Sequence, residues 1–273
     1  MKERILLFAF LFVLGACQSP QKQSQVSHKP LPTTIEEAVA SPYRRDENRA
    51  RDVYRHPVET LQFFGLTPEM TVVEITPGAG WYMEILAPLV ASKGKYIAAL
   101  PPSNSEYMAR LNEKVQKWID SHPELTGKIH TTTFNPPEDI APEGTVDMVL
   151  TFRNVHNWMA RGNAQEAFNA FYKALKPGGI LGVVEHRANP KSRRDPKAKS
   201  GYVHEAEVIQ MAQKAGFKLV AKSEVNANPK DTKNHPEGVW TLPPTLRLGE
   251  KDKEKYLAIG ESDRMTLKFI KPQ

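Results

Sequence analysis

From about residue 59 onward, apolar positions follow two alternating rhythms. Near-continuous apolar runs at 71–75, 95–100, 146–152 and 180–185, with a further strand at 129–134, indicate a sheet covered on both faces, because a strand covered on one side only would alternate apolar with polar residues. Between them, apolar residues recur every three or four positions. Residues 105–121 carry Met108, Leu111, Val115 and Trp118 on one stripe, and 163–175 carry Ala167, Phe168, Phe171 and Leu175. Both patterns predict amphipathic helices, as do 81–91 and 205–215. Lys176-Pro177-Gly178-Gly179 stops the second of these stripes and Gly216 the last. Ahead of the first strand, 46–55 reads as a polar helix broken at His56-Pro57. A second helix then starts on Pro57, carries Val58, Leu61 and Phe64, and ends at Gly65. Strands at 217–224 and 265–270 close the series as an antiparallel pair. The alternation predicts an α/β fold, a mostly parallel sheet with helices on both faces. Residues 226–263 form a long polar insertion between the last two strands and read as a flap or lid.

The first 34 residues break this pattern. Lys2 and Arg4 precede an apolar run at 5–14, too short for a span of about 20 residues but suited to a signal peptide. The run ends in Leu14-Gly15-Ala16-Cys17, which looks like a bacterial lipobox, and Cys17 is the single cysteine of the chain. Residues 1–16 are therefore expected to be a lipoprotein signal peptide, and 17–34 a lipidated Cys17 followed by a flexible tether rich in Gln, Ser, Lys and Pro. The expected partner is a membrane, met through this anchor. Gln18 in place of Asp resembles lipoproteins sorted to the outer membrane, facing the periplasm. Residues 35–273 then form a single domain.

Composition narrows the picture in two ways. With 40% hydrophobic and 25% charged residues in 273, the chain has the makings of a sizeable core. The net charge of +6 is dispersed, and its densest cluster, Lys191 to Lys199, sits in a proline-containing polar stretch. It reads as a solvated loop, so no nucleic-acid partner is expected. The oligomeric state is left open.

The chemistry concentrates where the first strand runs into a turn, Glu74-Ile75-Thr76-Pro77-Gly78-Ala79-Gly80, with a helix immediately after. In an open parallel sheet, ligands bind beyond the carboxyl ends of the strands. Gly78 and Gly80 permit positive φ and remove Cβ atoms that would hold a ligand off the backbone. The helix start adds free N–H groups, and Glu74 offers a carboxylate.

This turn resembles the first motif of the class I S-adenosylmethionine-dependent methyltransferases, an acidic and an apolar residue followed by Gly-x-Gly-x-Gly, with Thr76 in place of the first glycine. Ala174 to Leu181 is similar to that family's helix, Pro-Gly-Gly turn and fifth strand. Residues 147–150 running into Asn154-Val155-His156-Asn157-Trp158 resemble its fourth strand and the loop that meets donor and substrate. Gly78-Ala79-Gly80-Trp81-Tyr82 and Glu185-His186-Arg187 resemble an often exported bacterial group of predicted methyltransferases. The resemblance spans about 59–272. It implies a Rossmann-like fold, a mostly parallel seven-stranded sheet with an antiparallel last strand. It also implies S-adenosylmethionine as donor, held by Glu74, Thr76, Gly78, Gly80, Tyr82, Leu100 and Asn154, and a small-molecule acceptor. The family's second strand ends in a ribose-binding acid, whereas this one ends Ala99-Leu100-Pro101-Pro102. Losing that contact costs about 1–3 kcal/mol, with Ser103 or Asn104 as weaker substitutes.

Each candidate has a second reading. His156 is a general base or a structural histidine. Asn154 contacts the ligand or shapes a turn, Trp158 walls the pocket or packs in the core, and Tyr82 faces the donor or lies on the surface. Glu185 and His186, at the end of the fifth strand, are an acid/base pair, part of a metal site with His204 and Glu205, or, for Glu185, an ion-pair partner of Arg187. The spacing matches no specific zinc pattern, so no metal ligands are assigned. Tyr43, Arg44, Arg45 and His56 fold over the donor or are solvated. His235, Trp240, Pro243 and Pro244 shape a substrate pocket or a surface loop. Three functions remain open: an exported methyltransferase, a non-catalytic ligand-binding protein on the same fold, or a metal-dependent enzyme of another reaction type.

Overall fold

The computed structural model describes residues 30–273, so the expected leader and Cys17 lie outside the described residues. Seven strands form one sheet: β1 (Thr71–Ile75), β2 (Lys95–Leu100), β3 (Ile129–Thr133), β4 (Val146–Phe152), β5 (Leu175–His186), β6 (Lys218–Ser223) and β7 (Arg264–Ile270). Their order is β3-β2-β1-β4-β5-β7-β6. The first five are parallel, and β7 inserts antiparallel between β5 and β6. The chain leaves β1 in one direction to reach β2 and later returns on its other side as β4. That reversal opens a crevice at the carboxyl ends of β1 and β4.

Strand periodicity gives the sheet two cores. Val73 and Ile75 of β1 point to one face with Val149, Leu181 and Leu267. There they meet α7 (Val155–Arg161), α8 (Ala164–Ala174) and α9 (Glu205–Ala215). Val72 points to the other face with Tyr96, Ala98 and Met148. That face is covered by α1 (Ile35–Ala40), α4 (Pro57–Phe64), α5 (Met83–Val90) and α6 (Glu106–Asp120). Caps mark several ends. Ser105 Oγ accepts the Met108 N–H at the start of α6. Pro57 opens α4, and Gly65 closes it at φ +80°.

Three elements depart from the sequence pattern. The helix expected at 46–55 divides into α2 (Asp46–Arg49) and α3 (Asp52–Arg55). At the break the Asn48 carbonyl accepts both the Arg51 N–H at 3.2 Å and the Trp81 indole N–H at 2.8 Å, while its side-chain amide donates to Glu84 at 2.9 Å. The expected helix at 81–91 starts two residues late, after the turn, at Met83. Leu175 leaves the helix and begins β5, and the Pro177-Gly178-Gly179 turn is absorbed by a register shift against β4.

Residues 226–263 hold a single α-helix, α10 (Lys253–Ile259), and are pinned to the body by buried polar groups together with a small apolar cluster in which Val239 packs on Ala188 and Tyr202. The Asn226 amide donates to Thr60 and Thr266, both at 3.0 Å. Asp231 accepts from the Tyr202 hydroxyl, from His235 and from the Asp263 N–H. This explains why a polar sequence forms ordered structure here.

Candidate active site

A cavity of about 590 Å³ opens at the carboxyl ends of β1, β4 and β5. Thr76 and Gly78 line it from the turn after β1, Arg153 and Asn154 from the end of β4, and His186 from the end of β5. Tyr107 and Leu111 of α6 and Trp240 and Pro243 of the 226–263 segment complete its walls.

Gly78 has φ +64°, and a Cβ built on it meets nothing within 4 Å, so that space belongs to the cavity. Gly80 has φ +89°, and its Cβ would lie 3.0 Å from Met83 Cε. Thr76 replaces the first glycine of the motif yet keeps a left-handed backbone, φ +51°. A β-branched residue there stores about 1–2 kcal/mol of strain. The N-terminal segment clamps the turn from outside. Arg45 Nη2 donates to the Ala79 carbonyl at 2.7 Å and its Nε to Glu84 at 2.5 Å. The Arg44 and Arg55 guanidinium groups lie 5.0 and 4.6 Å from the Trp81 ring centroid. Tyr43 is buried as well, so this segment is not a solvated surface.

His156 and Glu185, two alternative bases in the sequence, form one pair. Glu185 is fully buried, and its Oε1 lies 3.0 Å from His156 Nδ1. The other carboxylate oxygen accepts the Val155 and His156 N–H groups at 2.6 and 3.3 Å, and Oε1 also accepts the His186 N–H at 2.7 Å. A carboxylate facing Nδ1 selects the tautomer with its proton there, leaving Nε2 as the basic nitrogen of a cavity-lining imidazole. The His186 ring centroid is 5.4 Å from that of His156, and its Nδ1 is 2.6 Å from Ser262 Oγ. Burial, then the neighbouring His156 and Arg153, press His186 well below the ordinary histidine range, so it is neutral.

Ligand atoms of His156, Glu185 and His186 fall within 4.8 Å of one another, a geometry able to hold a metal ion. Both Glu185 oxygens are already engaged by protein donors, which disfavours metal. The partners considered from sequence are drawn elsewhere: His204 Nε2 to Ser192 Oγ at 2.9 Å, and Glu205 to Lys222 at 2.9 Å. Nor does Glu185 pair with Arg187, whose guanidinium binds Glu224 and Asp263.

Several expected site residues do not reach the cavity. Glu74 is buried beneath the turn, where the Tyr96 hydroxyl donates to it at 2.6 Å. Tyr82 is neither donor-facing nor on the surface: it is buried and stacks on Phe152 with ring centroids 3.5 Å apart. Leu100 lines a separate cavity of about 670 Å³ with Ser103, whose Oγ accepts from Asn112. Trp158 belongs to the core, against Phe134 and Phe171. The Asn154 amide donates to the Ile75 carbonyl at 2.9 Å, tying the ends of β1 and β4 together. Trp240 lines the cavity, whereas His235 turns inward to Asp231. Arg51, Arg153, Tyr107 and Glu261 line the cavity without having been read as site residues.

No family model and no curated protein matches the sequence. Solved structures do match the fold. A SAM-dependent methyltransferase from Aquifex aeolicus superposes with a TM-score of 0.55 at 19% identity, over 81% of this chain and 93% of that one. This chain has the class I methyltransferase fold. An arsenic(III) S-adenosylmethionine methyltransferase from Chlamydomonas reinhardtii gives a TM-score of 0.51 at 15% identity, over 89% of this chain and 74% of that one. The [4+2]-cyclase SpnF gives 0.52 at 15%, over 87% and 92%. With a cyclase among the methyltransferase-fold neighbours, the chemistry has to be argued from the site.

Proposed function

We propose that this chain is an S-adenosylmethionine-dependent methyltransferase that acts on a small molecule, exported and lipid-anchored through Cys17. The observation that carries the reading is Gly78. It sits at the turn after β1, and its missing Cβ opens backbone to the cavity that His156 and His186 line. Thr76, Gly78 and Asn154 would hold the donor, which supplies an activated methyl group. His156 Nε2 would take a proton from the acceptor, with Glu185 holding the imidazole ring in place and stabilising its charge.

Calorimetry of the purified full-length protein with S-adenosylmethionine and S-adenosylhomocysteine tests this. Binding is expected, and Gly78→Val should abolish it by pushing a branched side chain into the cavity, while thermal unfolding checks that the variant folds. Absence of binding by the wild type at millimolar ligand would sink the reading.

The end of β2 favours a second reading, a non-catalytic ligand-binding protein. Leu100 supplies no carboxylate for a ribose and opens on a different cavity. Tight ligand capture without turnover would distinguish it. Among the described residues no helix is long and apolar enough to cross a membrane, so the proposed attachment rests on the lipobox. Cys17→Ser is expected to move the protein out of the membrane fraction or to block its processing. Unchanged fractionation with normal processing would exclude the anchor.

A further inference from the structure

Beside the two histidines the cavity wall carries more positive charge than the protein neutralises. Four guanidinium groups, those of Arg55, Arg264, Arg153 and Arg51, act on the single carboxylate of Glu261. Three of them share it directly: Arg51 at 2.7 Å, Arg264 at 3.2 Å and Arg55 at 3.4 Å. Together they hold the Glu261 carboxyl down to about 2, against the burial that would raise it. Arg55 and Arg264 are buried, and Arg55 Nη2 and Arg264 Nε have no hydrogen-bond partner among the described residues.

Arg153 is the fourth: burial lowers it to about 10, and Glu261 and Glu185 act on it only through space. Arg153 lines the cavity, and its guanidinium makes no hydrogen bond or salt bridge with any described residue. Its backbone is held at φ +62°, left-handed for a long side chain, immediately after β4. Non-glycine residues in that region are strained, and such strain collects where a side chain must be aimed. The other nearby carboxylates are committed. Glu185 is occupied by His156 and three backbone N–H groups. Glu74 is bonded to Tyr96, and burial pushes it up to about 8, so it is largely uncharged at neutral pH. Clustered guanidinium groups in a partly desolvated wall repel one another unless an anion joins them. Their planar forks match the paired oxygens of a carboxylate or phosphate.

We propose that Arg153, with Arg51, Arg55 and Arg264 behind it, forms a subsite for a carboxylate or phosphate group carried by the acceptor. The word acceptor rests on the methyltransferase reading; the anion subsite itself does not. The cluster is built from the same strand ends as the two histidines. Arg153 lies three residues before His156, and Arg264 pairs in register with His186 across β5 and β7. A group seated there belongs to the molecule that meets His156.

The test uses the full-length protein, with inorganic phosphate and succinate as probes at constant ionic strength against chloride. Both are expected to raise the wild-type melting temperature. Arg153→Gly suits the native φ, so it should fold, and in chloride it should melt above the wild type because an unpaired cation and a strained residue are gone. Its apparent affinity for both probes should fall by about tenfold or more. No shift of the wild type by either probe, or equal shifts in the two proteins, would overturn the proposal. Calorimetry with S-adenosylhomocysteine and 5′-methylthioadenosine, which lacks the amino-acid carboxylate, separates the sources. If Arg153→Gly weakens the first ligand alone, the anion is the donor's and the proposal fails. If it weakens neither while probe binding is lost, the acceptor assignment is supported. Probe binding lost in the variant, in a wild type that binds neither nucleoside, would support the subsite and remove the methyltransferase reading.

Discussion

Glu185→Ala is expected to destabilise the folded protein by about 3–5 kcal/mol, because several buried donors lose their acceptor at about 1–3 kcal/mol each. The carboxylate is wholly buried and accepts from the Val155, His156 and His186 N–H groups and from the His156 ring. Two of those donors belong to the first turn of α7, whose preceding residue, Asn154, makes no side-chain cap. Glu185 therefore caps a helix from a neighbouring strand, and alanine would leave several donors without acceptors or water. Glu185→Gln keeps the volume and one acceptor oxygen, but its amide hydrogens would face donors, so an intermediate loss is expected. Urea denaturation of the three proteins measures both effects. A loss under about 1 kcal/mol for alanine would mean that water replaces the carboxylate and that His156 is not held by it.

The capping role also shows where sequence reading stops. Apolar runs and glycine turns predicted the strands, their parallel arrangement and the antiparallel end, because each of those signals is local. The edge of the sheet that carries the cavity followed from the strand ends, and His156, His186, Gly78 and Asn154 were found there. What stayed hidden depends on pairing across long separations. Arg51 and Glu261 are 210 residues apart, and each reads alone as a solvated charge. Glu185 was legible as a strand-end acid, but not as the residue that fixes His156. Arg153 had a usable signal, a charge directly after an apolar strand at the ligand edge. The same signal marks His186 at the end of the neighbouring strand β5. Tyr82 and Leu100 were placed by family resemblance, and the packing of Phe152 and the position of α6 removed them from the cavity. Thr76 hides a conformation that sequence assigns to glycine, since the φ of +51° is imposed by the surrounding turn.

Glu74 leads to the other large effect, one that appears as a pH dependence. Burial pushes its carboxyl from 4.5 up to about 8, although the Tyr96 hydroxyl and the Arg55 charge both pull it down. Above about 4.5 the unfolded chain releases this proton while the folded protein keeps it. The folded state therefore binds more protons, and stability falls as pH rises. Between the two values the slope approaches about 1.4 kcal/mol per pH unit and levels off above pH 8. His186 acts in the opposite sense: its folded value is depressed, so its contribution grows as pH rises toward the ordinary 6.5. Glu261, held down to about 2, has already delivered its stability above pH 4.5 and adds no slope here. Because His186 is common to both proteins, the difference between wild type and Glu74→Gln isolates Glu74. Glutamine preserves an acceptor for Tyr96 and cannot ionise, so the variant should gain on the wild type steadily from about pH 5 to pH 8, by a few kcal/mol in total. Urea unfolding at three pH values across that window gives the difference directly. A constant difference would mean that Glu74 is ionised within the fold, which would place a carboxylate beside Arg55 and supply the arginine cluster with a counter-charge from the protein itself.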